Sequence, residues 1–200
     1  MAEPIRFYFD FNSTFSYIAA QQIDDLAARY GRDVDWIAVS LIHIFNDQGI
    51  TPPPMIPAKL KYLAVDYARS CELAGLPSKL PDNFPPPVKL ARLAFWKLKA
   101  KDPALARRYA KAVTLAVFGR GRSVGTPADI LEACAGIAGV TEAEIAAAAS
   151  DKAAKQAVLT AVDTAKADGM IGAPYMVLEG EPFWGADRLE HLERRLKKGR

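Results

Sequence analysis

Thiol and imidazole groups are scarce in this chain, which has only Cys71, Cys134, His43 and His191 to offer among 200 residues. The cysteines fall in separate helix-like stretches and form no C-x-x-C pair. That spacing argues against a disulfide framework, a zinc site and a dithiol redox centre. A Cys–His or Ser–His catalytic pair would have to be assembled from scattered positions, so both histidines read as structural or exposed. Long apolar runs are missing as well. No stretch approaches the roughly 18 uncharged residues of a membrane-spanning helix, and the start, Met1-Ala2-Glu3-Pro4-Ile5, lacks the basic and apolar regions of a secretory signal. A cytoplasmic protein without membrane contact is expected. Charge of one sign is not concentrated either: the net charge is +3 and Lys/Arg alternate with Asp/Glu, leaving no basic stripe for nucleic acid. The basic run 194–200 is what the end of a helix accommodates.

What is present is an ordinary globular composition, 50% apolar and 24% charged, sufficient for one sizeable core. Ile5, Phe7, Phe9 and Phe11 alternate along a first strand, and Asn12-Ser13-Thr14 then supplies helix-cap chemistry. A helix follows, with Tyr17, Ile18, Ile23, Leu26 and Ala27 at helical spacing up to Gly31. The β-branched and aromatic stretch 34–39 closes a β-α-β unit with parallel strands. Prolines and Gly49 break the pattern over 46–57. Helical periodicity then returns at 59–74, 88–100, 103–118 and 127–135, followed by a capping-box pattern at Thr141-x-x-Glu144 and a cap at Ser150-Asp151. The end regains β character: 174–178, a turn at 179–181 and 182–184 read as an antiparallel hairpin, with a last helix starting near Asp187. The expected architecture is α/β: a thioredoxin-like fold, β-α-β then β-β-α, interrupted by an all-helical insertion. The thioredoxin-like domain would comprise 1–45 and 169–200, and the insertion 46–168.

Ser13 stands where the first strand meets the first helix. There the unpaired N–H groups and the helix dipole favour an anion, which is why thioredoxin-like redox proteins place a C-x-x-C at this junction. Ser13-Thr14-Phe15-Ser16 keeps that spacing with hydroxyls in place of both sulfurs. Without a base beside it Ser13 is a poor nucleophile, but its hydroxyl can donate a hydrogen bond to a thiolate brought by a ligand. Read alone, Ser13 and Asp187 are helix caps, Pro174 a turn residue, and Lys59 and Lys61 a solvated helix face.

Four separated segments carry a resemblance: 7–17 (Phe7-Tyr8-Phe9-Asp10-Phe11-Asn12-Ser13-Thr14-Phe15-Ser16-Tyr17), 57–63 with Asp66 and Arg69, Gly172-Ala173-Pro174, and 183–189. In order and spacing they resemble the 2-hydroxychromene-2-carboxylate isomerase family, close to kappa-class glutathione transferases and related to bacterial disulfide oxidoreductases. The resemblance implies glutathione as cofactor and Ser13 as the residue that contacts its sulfur. Ala173 would pair with the cysteinyl backbone before a cis Pro174. Trp184, Gly185, Ala186, Asp187 and Arg188 would receive the γ-glutamyl end, and Lys59 or Lys61 would meet a glutathione or substrate carboxylate. It also implies isomerisation of an aromatic-catabolism intermediate by reversible thiolate addition, and a homodimer. Two departures stand out. Thr14 replaces the proline usual after the serine, and Pro53, Pro54, Pro86, Pro87 and Val88 occupy stretches where characterised relatives place polar substrate contacts. The partners expected are therefore glutathione and a small organic electrophile whose identity is open. A kappa-like transferase is the alternative enzyme, and a non-catalytic thiol- or partner-binding module the alternative of another class.

Overall fold

In a computed structural model, which describes residues 3–199, the chain forms a four-stranded mixed sheet flanked by helices. Met1 and Ala2, at the start read for a signal, and Arg200, the end of the basic run and of the second thioredoxin-like segment, lie outside the described residues. The elements are β1 (Ile5–Phe9), α1 (Thr14–Ala28), β2 (Val34–Ala38), α2 (Leu41–Asp47), α3 (Pro57–Leu73), α4 (Lys89–Lys99), α5 (Pro103–Thr114), α6 (Pro127–Ala133), α7 (Glu142–Ala148), α8 (Lys152–Ala167), β3 (Tyr175–Leu178), β4 (Glu181–Trp184) and α9 (Leu189–Lys198). Spatial order is β2-β1-β3-β4, with β1 parallel to β2 and antiparallel to β3, and β3 antiparallel to β4 across a two-residue turn. This is the expected thioredoxin-like order.

As a central strand, β1 is buried on both faces. Ile5, Phe7 and Phe9 face one core with Trp36, Phe95, Met176, Phe183 and Leu192, while Tyr8 faces a second with Ile37, Val177 and the α8 residues Ala161, Val162 and Ala165. Edge-to-face aromatic contacts, such as Phe9–Phe95 at 5.3 Å and Phe7–Trp36 at 4.9 Å, anchor β1 to α4 and β2.

The elements depart from the sequence reading at several points. α2, in which only Ile44 is buried, was not expected, since seven residues are too few for a clear period. The helix expected over 103–118 gives way to a π-helical turn at Leu115–Gly119, where the Phe118 carbonyl accepts from Tyr67 Oη at 2.5 Å and Lys79 N at 2.7 Å, donors from outside the helix. Thr141 accepts from Glu144 N at 3.2 Å, but the Glu144 side chain pairs with Lys101 instead of completing the box. The reciprocal box forms at Thr126 and Asp129. Asp187 caps no helix: it sits inside a 3-10 turn, Ala186–Arg188, and α9 begins only after it.

Candidate active site at the first strand-helix junction

The β1 strand delivers the chain to Asp10, and a tight turn follows in which Ser13 N donates to Asp10 O at 2.9 Å. Ser13 has extended backbone angles and caps α1, its Oγ accepting from Ser16 N at 3.1 Å. The same hydroxyl donates to Ala173 O at 3.0 Å. Ser13 is thus both the structural cap and a link to the segment 160 positions away that the resemblance paired with it. Only 8% of its surface is exposed. The N–H groups of Thr14 and Phe15, in the first turn of α1, take no acceptor among the described residues, so the positive end of the dipole is open. Ser16, where a redox relative's second cysteine would stand, is spent on packing and on a long contact from Asp10 N, 3.4 Å.

The Ala173–Pro174 peptide is cis, as the resemblance implied. Ala173 N takes no acceptor among the described residues, and Pro174 O accepts from Gly185 N at 2.9 Å, which joins this bend to the turn after β4. Trp184 is 52% exposed and lies against Gly172, where a Cβ would come within 2.6 Å of the indole Nε1. Gly185 has φ +106, a backbone conformation that favours glycine, and a Cβ there would displace the exposed Asp187 carboxylate, whose Oδ1 would lie 2.4 Å away. Asp187 is exposed and pairs with Arg188 at 2.9 Å, while the N–H groups of Ala186 and Asp187 take no acceptor among the described residues. A carboxylate beside open N–H donors suits a zwitterionic amino-acid end. Ser13, Ala173 and Pro174 are therefore assembled with the 184–188 turn. Lys59 and Lys61 are not tied to them: both are exposed on α3, and their side chains make no hydrogen bond or ion pair among the described residues.

The other candidate chemistry is quenched by burial. Cys71 and Cys134 are free and buried, and burial pushes the Cys134 thiol up to about 12 and raises Cys71 as well. Tyr17, pushed up to about 12 chiefly by burial, stays protonated and donates to Pro77 O at 3.0 Å. Val88 is buried at the start of α4, and Pro87 packs near Gly125. Sequence reasoning missed one feature altogether, the buried pair of Asp10 and Arg92 at 2.6 Å.

A DSBA-like thioredoxin domain matches residues 4–197. The 2-hydroxychromene-2-carboxylate isomerase of Pseudomonas putida is 30% identical over 194 residues, covering 94% of this chain and 92% of that protein. This chain belongs to the 2-hydroxychromene-2-carboxylate isomerase family. A member from Sphingobium xenophagum is 28% identical over 96% of this chain and 97% of its own, and the glutathione S-transferase kappa 1 of Caenorhabditis elegans is 25% identical over 94% and 88%. The solved structure of a 2-hydroxychromene-2-carboxylate isomerase superposes with a TM-score of 0.83 at 30% identity, covering 98% of this chain and 95% of that one. The isomerase family resemblance read from the four segments is thereby established, together with the thioredoxin-like fold. Among the described residues no helix is long and apolar enough to cross a membrane.

Proposed function

We propose that this protein is a glutathione-dependent isomerase of the 2-hydroxychromene-2-carboxylate isomerase type, cytoplasmic and homodimeric, acting on a ring-opened aromatic-catabolism intermediate. The observation that carries the reading is the Ser13 hydroxyl bonded to the carbonyl before a cis proline, beside open N–H groups on α1 and Ala173. When bound, glutathione supplies a thiolate that adds reversibly to an electrophilic carbon of the substrate and leaves unchanged after bond rotation. The protein's own groups fit that ligand. Rotation of the Ser13 hydroxyl away from Ala173 O turns its proton toward a sulfur while Oγ keeps the bond from Ser16 N. Ala173 then offers both N–H and C=O to an extended backbone, the pairing of an added strand. Ala186, Asp187 and Arg188 would hold the amino-acid end, Trp184 would cover it, and Lys59 or Lys61 would meet a carboxylate.

The magnitudes are sufficient. Lowering a thiol from about 8.5 to about 6.5 requires roughly 2.7 kcal/mol. A helix dipole contributes about 0.3–2 kcal/mol and one charge-assisted hydrogen bond about 1.5–3 kcal/mol. Incubation with glutathione and 2-hydroxychromene-2-carboxylate should give an absorbance change absent from Ser13→Ala; equal rates in the two proteins would defeat the assignment. Likeness to a kappa-class transferase supports a second reading, formation of a stable conjugate. Mass spectrometry separates them, because an isomerase consumes no glutathione.

A further inference from the structure

Asp10 and Arg92 are the only charged residues that are buried among the described residues, at 1% and 8% exposure. Arg92 Nη2 donates to Asp10 Oδ1 at 2.6 Å, and the same oxygen accepts from Asn12 N at 3.0 Å. Asp10 Oδ2 accepts from Leu41 N at 2.6 Å. One carboxylate therefore ties the turn before Ser13 to the start of α2 and to α4. Among the described residues Arg92 Nε has no partner, and the guanidinium is held through Nη2. A desolvated ion pair contributes little net stability compared with apolar residues of the same volume, so stability alone does not account for it. Its place does. Asp10 is three residues before Ser13: its backbone carbonyl accepts from Ser13 N at 2.9 Å and its carboxylate accepts from Asn12 N, so the charge belongs to the turn that leads into α1, where a thiolate would form. Uncompensated, that charge would oppose an anion there.

We propose that Asp10 and Arg92 are positioning residues of the thiol site, a compensated pair that fixes the Ser13 turn and cancels a buried negative charge beside it. The proposal rests on the glutathione reading above. Several other ionisable groups on the elements around the junction are engaged elsewhere. Tyr17 and Tyr67 stay protonated, Asp187 pairs with Arg188, Asp24 of α1 with Lys111 of α5, and Asp47 of α2 with Lys166 of α8. Lys97 and Lys99 of α4 are paired with Asp151 and Asp35, while His43 on α2 and Lys59 and Lys61 on α3 are exposed.

The test follows the ultraviolet thiolate absorbance of glutathione bound to the full-length protein across pH, with thermal melts alongside. Arg92→Met should raise the apparent thiol pKa by about one unit or more, since Asp10 is left uncompensated, and Asp10→Asn should lower it. The double variant, neutral again, should titrate close to wild type. A pair that only braces the fold would move both single variants the same way, or change melting alone; either pattern overturns the proposal. Should a single variant fail to fold, Arg92→Lys decides: it keeps the charge, so a wild-type titration supports the proposal and an upward shift overturns it. If wild type holds no thiolate, or Ser13→Ala titrates as wild type does, the glutathione reading itself falls and the pair's role with it. With that reading intact, unchanged titration in Arg92→Met and Asp10→Asn removes the pair alone.

Discussion

At the scale of single residues the site is a set of small side chains doing two jobs each. Ser13 caps α1 and reaches Ala173, and Gly185 permits a turn while making room for the Asp187 carboxylate. Gly185→Ala places a Cβ in the left-handed region and 2.4 Å from Asp187 Oδ1. It should destabilise the fold by about 1–3 kcal/mol and weaken glutathione binding, as thermal melting and calorimetric titration would show; unchanged affinity would remove the 184–188 turn from the site. The Ser13 cap was legible because Asn12-Ser13-Thr14 is a local signal, whereas Pro174 and the 184–188 segment were singled out only by their resemblance to a family pattern. Asp10 and Arg92 were not, because neither residue signals its role without the other, and 82 positions separate them. The available hint was a charge on the apolar face of α4, where Arg92 stands beside the buried Ala91, Leu93 and Phe95.

Among the elements, propensity and capping located the long helices and the hairpin, while tertiary contacts decided the ends. The Thr126–Asp129 box holds α6 by reciprocal bonds, whereas Thr141 has only half of one because Lys101 captures Glu144. Thr126→Ala should cost about 1 kcal/mol in urea unfolding, and glutathione affinity should not change. The π-helical turn escaped the sequence reading for the same reason: its shape follows from Tyr67 and Lys79 donating to Phe118 O, partners that periodicity cannot show. Both faces of β1 are covered, which alternation in Phe7, Phe9 and Phe11 suggested for one side only. Phe9→Ala should therefore destabilise by about 3–5 kcal/mol in denaturant titration, the range for a fully buried aromatic.

For the molecule as a whole, acid stability follows from its surface carboxylates. Hydrogen bonds lower Asp129 through Thr126, Asp151 through Lys97, Glu179 through Arg32 and Glu193 through Tyr30. Folded pKa values below the unfolded ones mean that these contributions are complete above about pH 4–5 and are lost as pH falls through the depressed values. Melting temperature should accordingly be flat near neutrality and fall below about pH 4, each exposed pair adding little. The central claim is that the fold brings Ser13, the cis Ala173–Pro174 bend and the open end of α1 together to hold a borrowed sulfur. The most direct measurement is a crystal structure with glutathione. The account predicts the sulfur within hydrogen-bond reach of Ser13 Oγ, with Ala173 N and O paired to the ligand backbone. A sulfur elsewhere, with the Ser13–Ala173 bond intact, would contradict it.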